Sequence, residues 1–330
     1  MNTLQTRFGS GQEVQRLEDD ALLAGRGQFT DDVEHAGQTR LCLVRSPHPH
    51  ARITSIDTTA AAAMPGVRLV LTGAELQAAG VKIMAKPIMH KRADGGRPAS
   101  PDRHLLAVER VRFVGECVVA VVADTEQQAR DAAEAVQVDY EPLPHAVTLA
   151  DALAPNAPLL SDAPDNKVAE SRHGDAAQAQ AAFARARHVV ELDITNQRVV
   201  ALSIEPRSVQ AHIDQGRLVV RMSSQMPTGI RTQICDLLGL KESQVRVLVG
   251  DVGGGFGMKT GAYPEDILVA YCAHRLQRPV KWIAERAEEF LSSSHGRDIQ
   301  CHGALALDEH GKILALRIHT LANVGAYPGM

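Results

Sequence analysis

The chain has 330 residues, with 35 Lys and Arg against 39 Asp and Glu, so its formal net charge is −4. Hydrophobic residues make up 45% of the sequence, which excludes extensive disorder. The slightly acidic balance gives no support for nucleic-acid binding, and the longest apolar stretch, Cys117 to Ala123, is too short to span a membrane. At about 100–200 residues per domain, this length predicts two domains.

The cysteines bear on the cellular compartment. They are widely separated and never form a Cys-x-x-Cys pair; they are Cys42, Cys117, Cys235, Cys272 and Cys301. This pattern is typical of reduced, mostly buried thiols, and the polar first twenty residues contain no apolar segment of a secretory signal. We therefore expect a cytoplasmic protein in which this chain holds neither an iron–sulfur cluster nor a zinc site.

The first region, residues 1–153, has the pattern of a small α/β domain. Short β-branched and leucine-rich runs predict strands at 40–44, 68–71, 117–122 and 136–140. Between the last two, Thr125 and Gln128 have the spacing of a capping box, which predicts a helix that begins there and ends near residue 136. Glycine, proline and charged residues from 82 to 102 predict a long exposed loop.

Residues 154–175 are predicted to be a linker, because they begin with a stretch of three prolines and little periodicity. Beyond the linker, strands are predicted at 188–195, 203–213, 217–222, 245–249, 279–283 and 313–321. Helices are predicted at 175–187, 227–238 and 264–276, the second of them ended by Gly239. The sequence stops directly after a strand, so we expect residues 176–330 to be an incomplete domain.

The most informative stretch is VGDVGGGFGMKTGAY, residues 249–263. A strand leads into a turn with five glycines and a Lys-Thr pair, and a helix follows. Glycines allow positive φ angles and leave backbone N–H groups close to a ligand, so the turn predicts a cradle for an anionic or oxo ligand. It is not a P-loop, because Met258 separates Gly257 from Lys259, and its GxGxG spacing is not that of a Rossmann turn. A tight structural turn without a ligand is the alternative.

Four stretches resemble the molybdenum hydroxylase family, which contains xanthine dehydrogenase, aldehyde oxidoreductase and the large chain of aerobic carbon monoxide dehydrogenase. They occur in family order at residues 16–32, 112–144, 196–207 and 250–298. The resemblance implies an α+β fold, in which an α/β hammerhead domain (1–153) precedes the first part of a molybdopterin-binding domain (176–330). It also implies an oxidoreductase that oxidises an aldehyde, an N-heteroaromatic or a carbon monoxide-like substrate, with water as the source of oxygen.

The resemblance also assigns residues to a site. The family holds molybdenum through the dithiolene of a pterin, so we expect no side chain to ligate the metal. Gln225, in SSQMP, matches the glutamine whose side chain bonds an oxygen ligand of molybdenum. Phe256 and Gly257 match a pair whose backbone N–H groups face those oxygens or the pterin, and the Phe256 ring would form a wall of the substrate channel. Gly254 and Gly255 would allow this close approach.

Other residues near these motifs have simpler interpretations. Gln225 taken alone would be a surface or turn residue, and Lys259 and Thr260 are expected to stabilise the turn. Thr260 replaces a glutamate that contacts the purine in xanthine dehydrogenase-like members, which argues against xanthine as the substrate. Glu205 and Arg207 could form a structural ion pair with each other. The sequence His48-Pro49-His50 indicates an exposed turn more than a metal site.

A full molybdenum subunit of the family is more than twice as long as this chain. Its later part carries most cofactor contacts and the catalytic glutamate, and none of Glu285, Glu288 and Glu289 lies in that motif. We therefore expect no catalytic residue here and no activity from the chain alone. The implied partners are the remaining half of the subunit, an iron–sulfur subunit and a flavin subunit with FAD. The implied cofactor is molybdopterin, in its plain or its cytosine dinucleotide form.

Two explanations of the short length stay open, namely a subunit split between two polypeptides and a partial reading of a longer chain. Both predict that strands after Ile313 expose unpaired edges and apolar faces. A non-catalytic cofactor-binding or assembly module is an alternative of another class. A nucleotide-binding protein with a P-loop-like turn is a more distant one.

Overall fold

The computed structural model describes residues 15–84, 88, 90–159 and 165–328; predictions for the first fourteen residues and for parts of the 82–102 loop and the 154–175 linker lie outside them. The helices are α1 (Asp19–Leu23), α2 (Thr59–Ala62), α3 (Gly73–Ala78), α4 (Glu126–Glu134), α5 (Leu149–Leu153), α6 (Ala176–Ala184), α7 (Pro227–Leu238), α8 (Pro264–Leu276) and α9 (Arg286–Ser292). The strands are β1 (Thr39–Arg45), β2 (Ala51–Asp57), β3 (Val67–Thr72), β4 (Arg110–Val111), β5 (Cys117–Ala123), β6 (Gln137–Pro142), β7 (His188–Asn196), β8 (Val199–Val200), β9 (Ser208–Asp214), β10 (Arg217–Met222), β11 (Val245–Leu248), β12 (Val280–Ile283), β13 (His295–Gly296), β14 (Ile299–Leu307) and β15 (Ile313–Ala322).

The largest sheet joins the two regions that were distinguished in the sequence. Its seven strands follow the order β11-β10-β9-β12-β1-β5-β3. The strand β1 pairs with β12 in parallel, with Thr39 opposite Val280, and with β5 in the antiparallel sense. Strands from before residue 153 and strands from after residue 176 therefore share one continuous ladder of backbone hydrogen bonds.

Helices cover both faces of this sheet. On one face α7 and α8 pack against the strands from β9 to β12, and Ile230, Ile234 and Ile267 are fully buried there. On the other face α4 packs against β1 and β5, where Ala132 contacts a second core that includes Val119. Because β5 is covered on both faces, all seven of its residues are buried, as its continuous apolar sequence indicates.

The strongest sequence signals agree with the structure. The bounds predicted for α7, α8 and β10 are those observed, and Gly239 ends α7 in the left-handed conformation with a φ of 66°. The predicted strand at 203–213 begins only at Ser208. Pro206 has no N–H group to donate, and the N–H of Glu205 donates to the carbonyl of Gly253, so this segment belongs to the glycine-rich turn and not to the sheet.

The capping box predicted for α4 is confirmed. The Oγ1 atom of Thr125 accepts the N–H of Gln128 at 3.2 Å, and the Oε1 atom of Gln128 accepts the N–H of Thr125 at 3.1 Å. Thr125→Ala is therefore expected to lower the free energy of unfolding by about 1 kcal/mol, measured by urea denaturation. Thr125→Ser keeps the acceptor and serves as the control. An equal loss in both variants would assign the effect to the lost methyl group instead.

A smaller antiparallel sheet follows the order β15-β14-β7. Helix α6 covers one of its faces, where Ala304 and Ala306 are buried and the guanidinium of Arg317 lies 4.5 Å from the ring of Phe183. The opposite face carries exposed apolar side chains, as the sequence predicts for the end of the chain. Among the described residues, no helix has the length and apolar content that crossing a bilayer requires.

Candidate functional site

The glycine-rich turn between β11 and α8 has an unusual backbone. Gly254 and Gly257 have φ angles of 106° and 87°, and Phe256 has a φ of 50°, which is uncommon for a residue with a side chain. The Phe256 ring is 74% exposed, so burial within this chain does not offset the strain of that conformation. Strained backbone of this kind is concentrated at ligand and active sites.

Gln225 lies beside this turn, at the point where β10 leads into α7. Its backbone N–H donates to the carbonyl of Lys259 at 2.9 Å, and its side-chain Oε1 accepts the N–H of Gly257 at 2.9 Å. A backbone N–H can only donate, so the amide oxygen of Gln225 must face Gly257 and the Nε2 group must point away. Within the described residues Nε2 has no hydrogen-bond partner, so both of its hydrogens remain available as donors.

The glycines of the turn serve different purposes. A Cβ atom at Gly255 would lie 2.5 Å from Cδ of Gln225, and one at Gly254 would lie 2.8 Å from Cε2 of Phe256. A Cβ at Gly253 would overlap Cβ of Glu205. By contrast, a Cβ at Gly257 would meet nothing within 4 Å, so this part of the turn faces open space. The turn is therefore closely packed on one side and open on the other.

The structure brings Gln225 next to the predicted turn residues Gly254, Gly255, Phe256 and Gly257. The two backbone N–H groups predicted to face a ligand differ, however, in whether they are free. The N–H of Gly257 is already occupied by Gln225. The N–H of Phe256 has no partner among the described residues. Of the two N–H groups that the sequence assigns to a ligand, Phe256 supplies the one that is free.

Lys259 links the glycine-rich turn to the segment that contains Glu205 and to the end of β10. Its buried Nζ atom donates to the carbonyl of Glu205 at 2.8 Å and to Oγ of Ser223 at 2.7 Å, and it lies 3.4 Å from Oε2 of Glu205. That same Oε2 accepts the N–H of Gly253 at 2.8 Å. Burial lowers the pKa of Lys259, and the Glu205 carboxylate opposes this shift. Thr260 adds a hydrogen bond from its Oγ1 to the carbonyl of Gly257 at 2.8 Å, so both residues stabilise the turn as expected.

The suggested ion pair between Glu205 and Arg207 is wrong, because Glu205 pairs with Lys259. Arg207 instead lies 3.2 Å from Oε2 of Glu265, at the start of α8, with its guanidinium 4.0 Å from the ring of Tyr263. The other oxygen of Glu265 accepts a hydrogen bond from Arg45 of β1 at 2.7 Å. Sequence analysis missed this cluster, since Arg45 and Glu265 are 220 positions apart.

The buried charges have a strong effect on Glu265. Burial alone would raise the pKa of its carboxyl group, but Arg207 and Arg45 outweigh that effect and lower the pKa to about 2. The next residue, Asp266, responds in the opposite direction. Burial raises the pKa of Asp266 to about 7, although its Oδ2 accepts the N–H of Tyr263 at 2.8 Å. The first turn of α8, which follows the glycine-rich turn, thus holds two neighbouring carboxyl groups, one with a lowered pKa (Glu265) and one with a raised pKa (Asp266).

The His48-Pro49-His50 turn takes no part in the site. The ring of His48 contacts the ring of Tyr140 with centroids 5.0 Å apart, and Nδ1 of His50 lies 2.7 Å from the carbonyl of Pro144. Among the described residues, no group of three or more His, Cys, Asp or Glu side chains could hold a metal ion. The polar groups that the turn offers to a ligand are amide donors.

Comparisons with known proteins agree with this geometry. Residues 159–330 match the model of the molybdopterin cofactor-binding domain, and residues 24–144 match that of the aldehyde oxidase and xanthine dehydrogenase a/b hammerhead domain. The nicotine 6-hydroxylase large subunit of Paenarthrobacter nicotinovorans is 36% identical over 98% of this chain and 39% of its own length. The carbon monoxide dehydrogenase large chain of Afipia carboxidovorans is 37% identical over 97% of this chain and 40% of its own length.

Among solved structures, quinoline 2-oxidoreductase from Pseudomonas putida 86 matches with a TM-score of 0.86 and 34% identity, over 96% of this chain and 40% of that chain. The chain thus spans about two fifths of the length of the relatives it matches. The α+β architecture, with its hammerhead domain and part of a molybdopterin-binding domain, is confirmed. The chain belongs to the molybdenum hydroxylase family and corresponds to the N-terminal portion of its molybdopterin-binding large subunits.

Proposed function

We propose that this chain forms the N-terminal part of the large subunit of a molybdenum hydroxylase and binds one side of the molybdopterin cofactor. The proposal rests chiefly on the side chain of Gln225. Its oxygen is fixed by the N–H of Gly257, which leaves its Nε2 group as a free donor beside a turn that faces open space. A neutral amide donor can bond an oxygen ligand without competing for the metal.

The residues of the turn fit the cofactor in the roles that the sequence assigns to them. Gln225 Nε2 and the N–H of Phe256 are two donors at the same turn that no described residue uses, and both would donate to oxygen atoms of the bound group. Gly254 and Gly255 keep the backbone free of side chains that would displace Gln225 or Phe256. When bound, the cofactor supplies a metal centre that transfers oxygen derived from water and accepts two electrons.

The proposed substrate is an aldehyde, an N-heteroaromatic compound or carbon monoxide. The exposed ring of Phe256 would form a wall of the substrate channel, with Ile204 and Met226 as further exposed apolar side chains next to the site residues. Thr260 presents no carboxylate, and its hydroxyl group is used within the turn. The relatives named for nicotine 6-hydroxylation and carbon monoxide dehydrogenation are 36% and 37% identical to this chain, whereas the probable hypoxanthine oxidase of Escherichia coli is 27% identical, which supports a substrate other than a purine.

The remaining three fifths of the subunit would complete the active site, and the chain alone is proposed to be inactive. Iron–sulfur clusters and FAD on partner subunits would carry the electrons away. The cofactor would be molybdopterin, in the plain or the cytosine dinucleotide form, and the compartment the cytoplasm. A non-catalytic assembly module is the competing function, because it would keep the same fold and the same turn.

Molybdenum content tests the proposal directly. The chain is purified gently from its own host, and molybdenum per mole of chain is measured together with the polypeptides that accompany it. We expect near-stoichiometric metal in preparations that also contain the rest of the large subunit. An assembled complex that contains no molybdenum would contradict the proposal and favour the non-catalytic module.

A further inference from the structure

The sheet β15-β14-β7 has one face that nothing in the described part of the chain covers. Cross-strand register places the same apolar side chains on this face: Leu192 and Ile318 flank Gly303, and Val190 and Leu316 flank Leu305. We call it the apolar sheet face; it consists of Val190, Leu192, Ile194, Ile299, Cys301, Leu305, Leu307, Ile313, Leu316 and Ile318.

The exposure of this face is large for a folded protein. Its β7 and β15 members, Val190, Leu192, Ile194, Ile313, Leu316 and Ile318, are each 50–60% exposed. None of the residues that define the face is charged, whereas Glu191, Asp193, His302 and Arg317 lie on the opposite side of the same strands, towards α6. A contiguous apolar surface without charges is typical of a protein interface that is buried in the assembled state.

The relatives indicate what covers this face. They are about two and a half times as long as the portion that this chain matches, and that portion extends through β15 to residue 330. β15 is the edge strand of this sheet, and residues 323–328 lead from it towards Glu116, whose carboxylate accepts a hydrogen bond from the hydroxyl of Tyr327. Consecutive elements are usually adjacent in space, so the segment that follows in a longer subunit is expected to pack near β15.

We propose that the apolar sheet face is the docking surface for the part of the large subunit that follows the portion matched by this chain. This inference rests on the proposed function, because it takes the complete subunit as the working form. The occupant is a protein surface with apolar side chains that pack between those of β7 and β15. In the described strands, the polar side chains that the register places on this side are Thr320, opposite Cys301, and His188 and Asn196 at the two ends of β7, which are too scattered to form a site for a polar cofactor or a nucleic acid.

Cys301 provides a native reporter at the centre of the face. Its Sγ atom accepts a hydrogen bond from Thr320 on β15 at 3.7 Å, so the thiol points to the apolar side. Of the other cysteines, Cys117, Cys235 and Cys272 are buried, and Cys42 is half-buried. Burial raises the pKa of Cys42 to about 11 and of Cys117 and Cys272 to about 12, and it also raises that of Cys235, so their thiols react slowly with maleimides.

The test compares N-ethylmaleimide labelling of the chain alone with labelling of the chain assembled with the remaining three fifths of the large subunit, supplied as a second polypeptide or as the continuation of the same chain. We expect Cys301 to react first in the chain alone and about tenfold or more slowly in the complex. Cys301→Ser identifies the labelled position. A complex in which Cys301 reacts as fast as in the chain alone would overturn the proposal.

Charge substitutions provide the second measurement. Leu192→Lys combined with Ile318→Lys replaces side chains that already face solvent, so the chain is expected to keep its fold, checked by circular dichroism, and to lose the complex in size-exclusion chromatography. Leu23→Lys, at a position that is 87% exposed on α1, is the matched control and should leave the complex intact. Equal binding by the double variant would contradict the proposal.

Two further outcomes are informative. If the chain alone is a dimer in which Cys301 is protected, and the double variant is a monomer, the occupant is a second copy and the proposal is wrong. If the complex protects Cys301 but contains no molybdenum, the docking surface stands and the proposed enzymatic function fails. The two proposals can therefore fail separately.

Discussion

Replacing Glu265 by glutamine is expected to lower the free energy of unfolding by about 3–5 kcal/mol. The carboxylate of Glu265 is almost fully buried and lies between the guanidinium groups of Arg45 and Arg207, which are themselves almost fully buried. Glutamine has nearly the same shape but carries no charge, and its NH₂ group would face one of the two guanidinium groups as a second donor. Among the described residues, Arg45 would then keep only the Glu288 carboxylate at 2.6 Å and Arg207 only the Glu289 carboxylate at 3.9 Å, so the two buried guanidinium groups would lose the carboxylate that they share.

Denaturant unfolding of the wild-type chain and the variant measures this effect. The control is Glu242→Gln, which removes an ion pair with Arg231 at 2.8 Å on the surface, where the Glu242 side chain is 56% exposed. An exposed pair of this kind contributes about 0–1 kcal/mol. If both variants lose the same small amount, the buried cluster does not depend on the Glu265 charge.

The difference between the wild type and Glu265→Gln should also depend on pH. The pKa of Glu265 falls from an ordinary value of 4.5 to about 2 on folding, so the folded state holds fewer protons than the unfolded state between these values. The stabilisation is therefore complete above pH 4.5 and is lost as the pH falls towards 2. The gap between the two proteins should be fully present at pH 5 and should narrow as the pH falls below 4.5. A gap that persists unchanged at pH 2.5 would contradict this origin.

Gln225→Ala is expected to lower turnover of the assembled enzyme by about 10²-fold, as for the loss of one positioned donor in other active sites. The substitution removes the free Nε2 group and also the acceptor of the Gly257 N–H. Alanine leaves the backbone N–H of residue 225, which donates to the carbonyl of Lys259, in place. Turnover is measured per mole of bound molybdenum, which separates an effect on chemistry from an effect on metal content.

The control for this experiment is Gln127→Ala on the exposed side of α4, far along the chain from the turn. Among the described residues its side chain bonds only Asp131, at 2.6 Å, and we expect unchanged turnover and metal content. Gln225→Ala with normal turnover and full metal occupancy would remove Gln225 from the site. If turnover is low only because the molybdenum content is low, the role of Gln225 is to retain the cofactor and not to assist the reaction.

Local sequence signals predicted much of this fold, because they depend on neighbouring residues. The capping box of α4, the Pro-to-Gly bounds of α7 and the apolar run of β5 all follow from short-range rules. The strand β14 was not predicted. Its sequence contains Gly303 and alanines, and its alternation is weak without knowledge of the strands on either side.

For the site, too, the sequence predicted local features but not the contacts between distant segments. The glycine-rich turn and Gln225 were found through motifs, but the hydrogen bond from Gly257 to Gln225 was not, because it joins residues 32 positions apart. The pairing of Lys259 with Glu205 and of Arg207 with Glu265 likewise depends on how distant segments meet. Charge and residue type indicate which side chains can form ion pairs, but the packing of distant segments determines which pairs form.

The parallel pairing of β1 with β12 has a consequence for synthesis of the protein. The N–H of Thr39 donates to the carbonyl of Pro279, so this edge of β1 stays unpaired until about 240 further residues have left the ribosome. At about 5–20 residues per second, the wait lasts roughly 12–50 s. Once β5 has been made, β1 can form hydrogen bonds on the β5 side only, and until β12 follows the nascent chain presents an open strand edge that other polypeptides can pair with. Slow translation or truncation before residue 279 should therefore promote aggregation of the nascent chain.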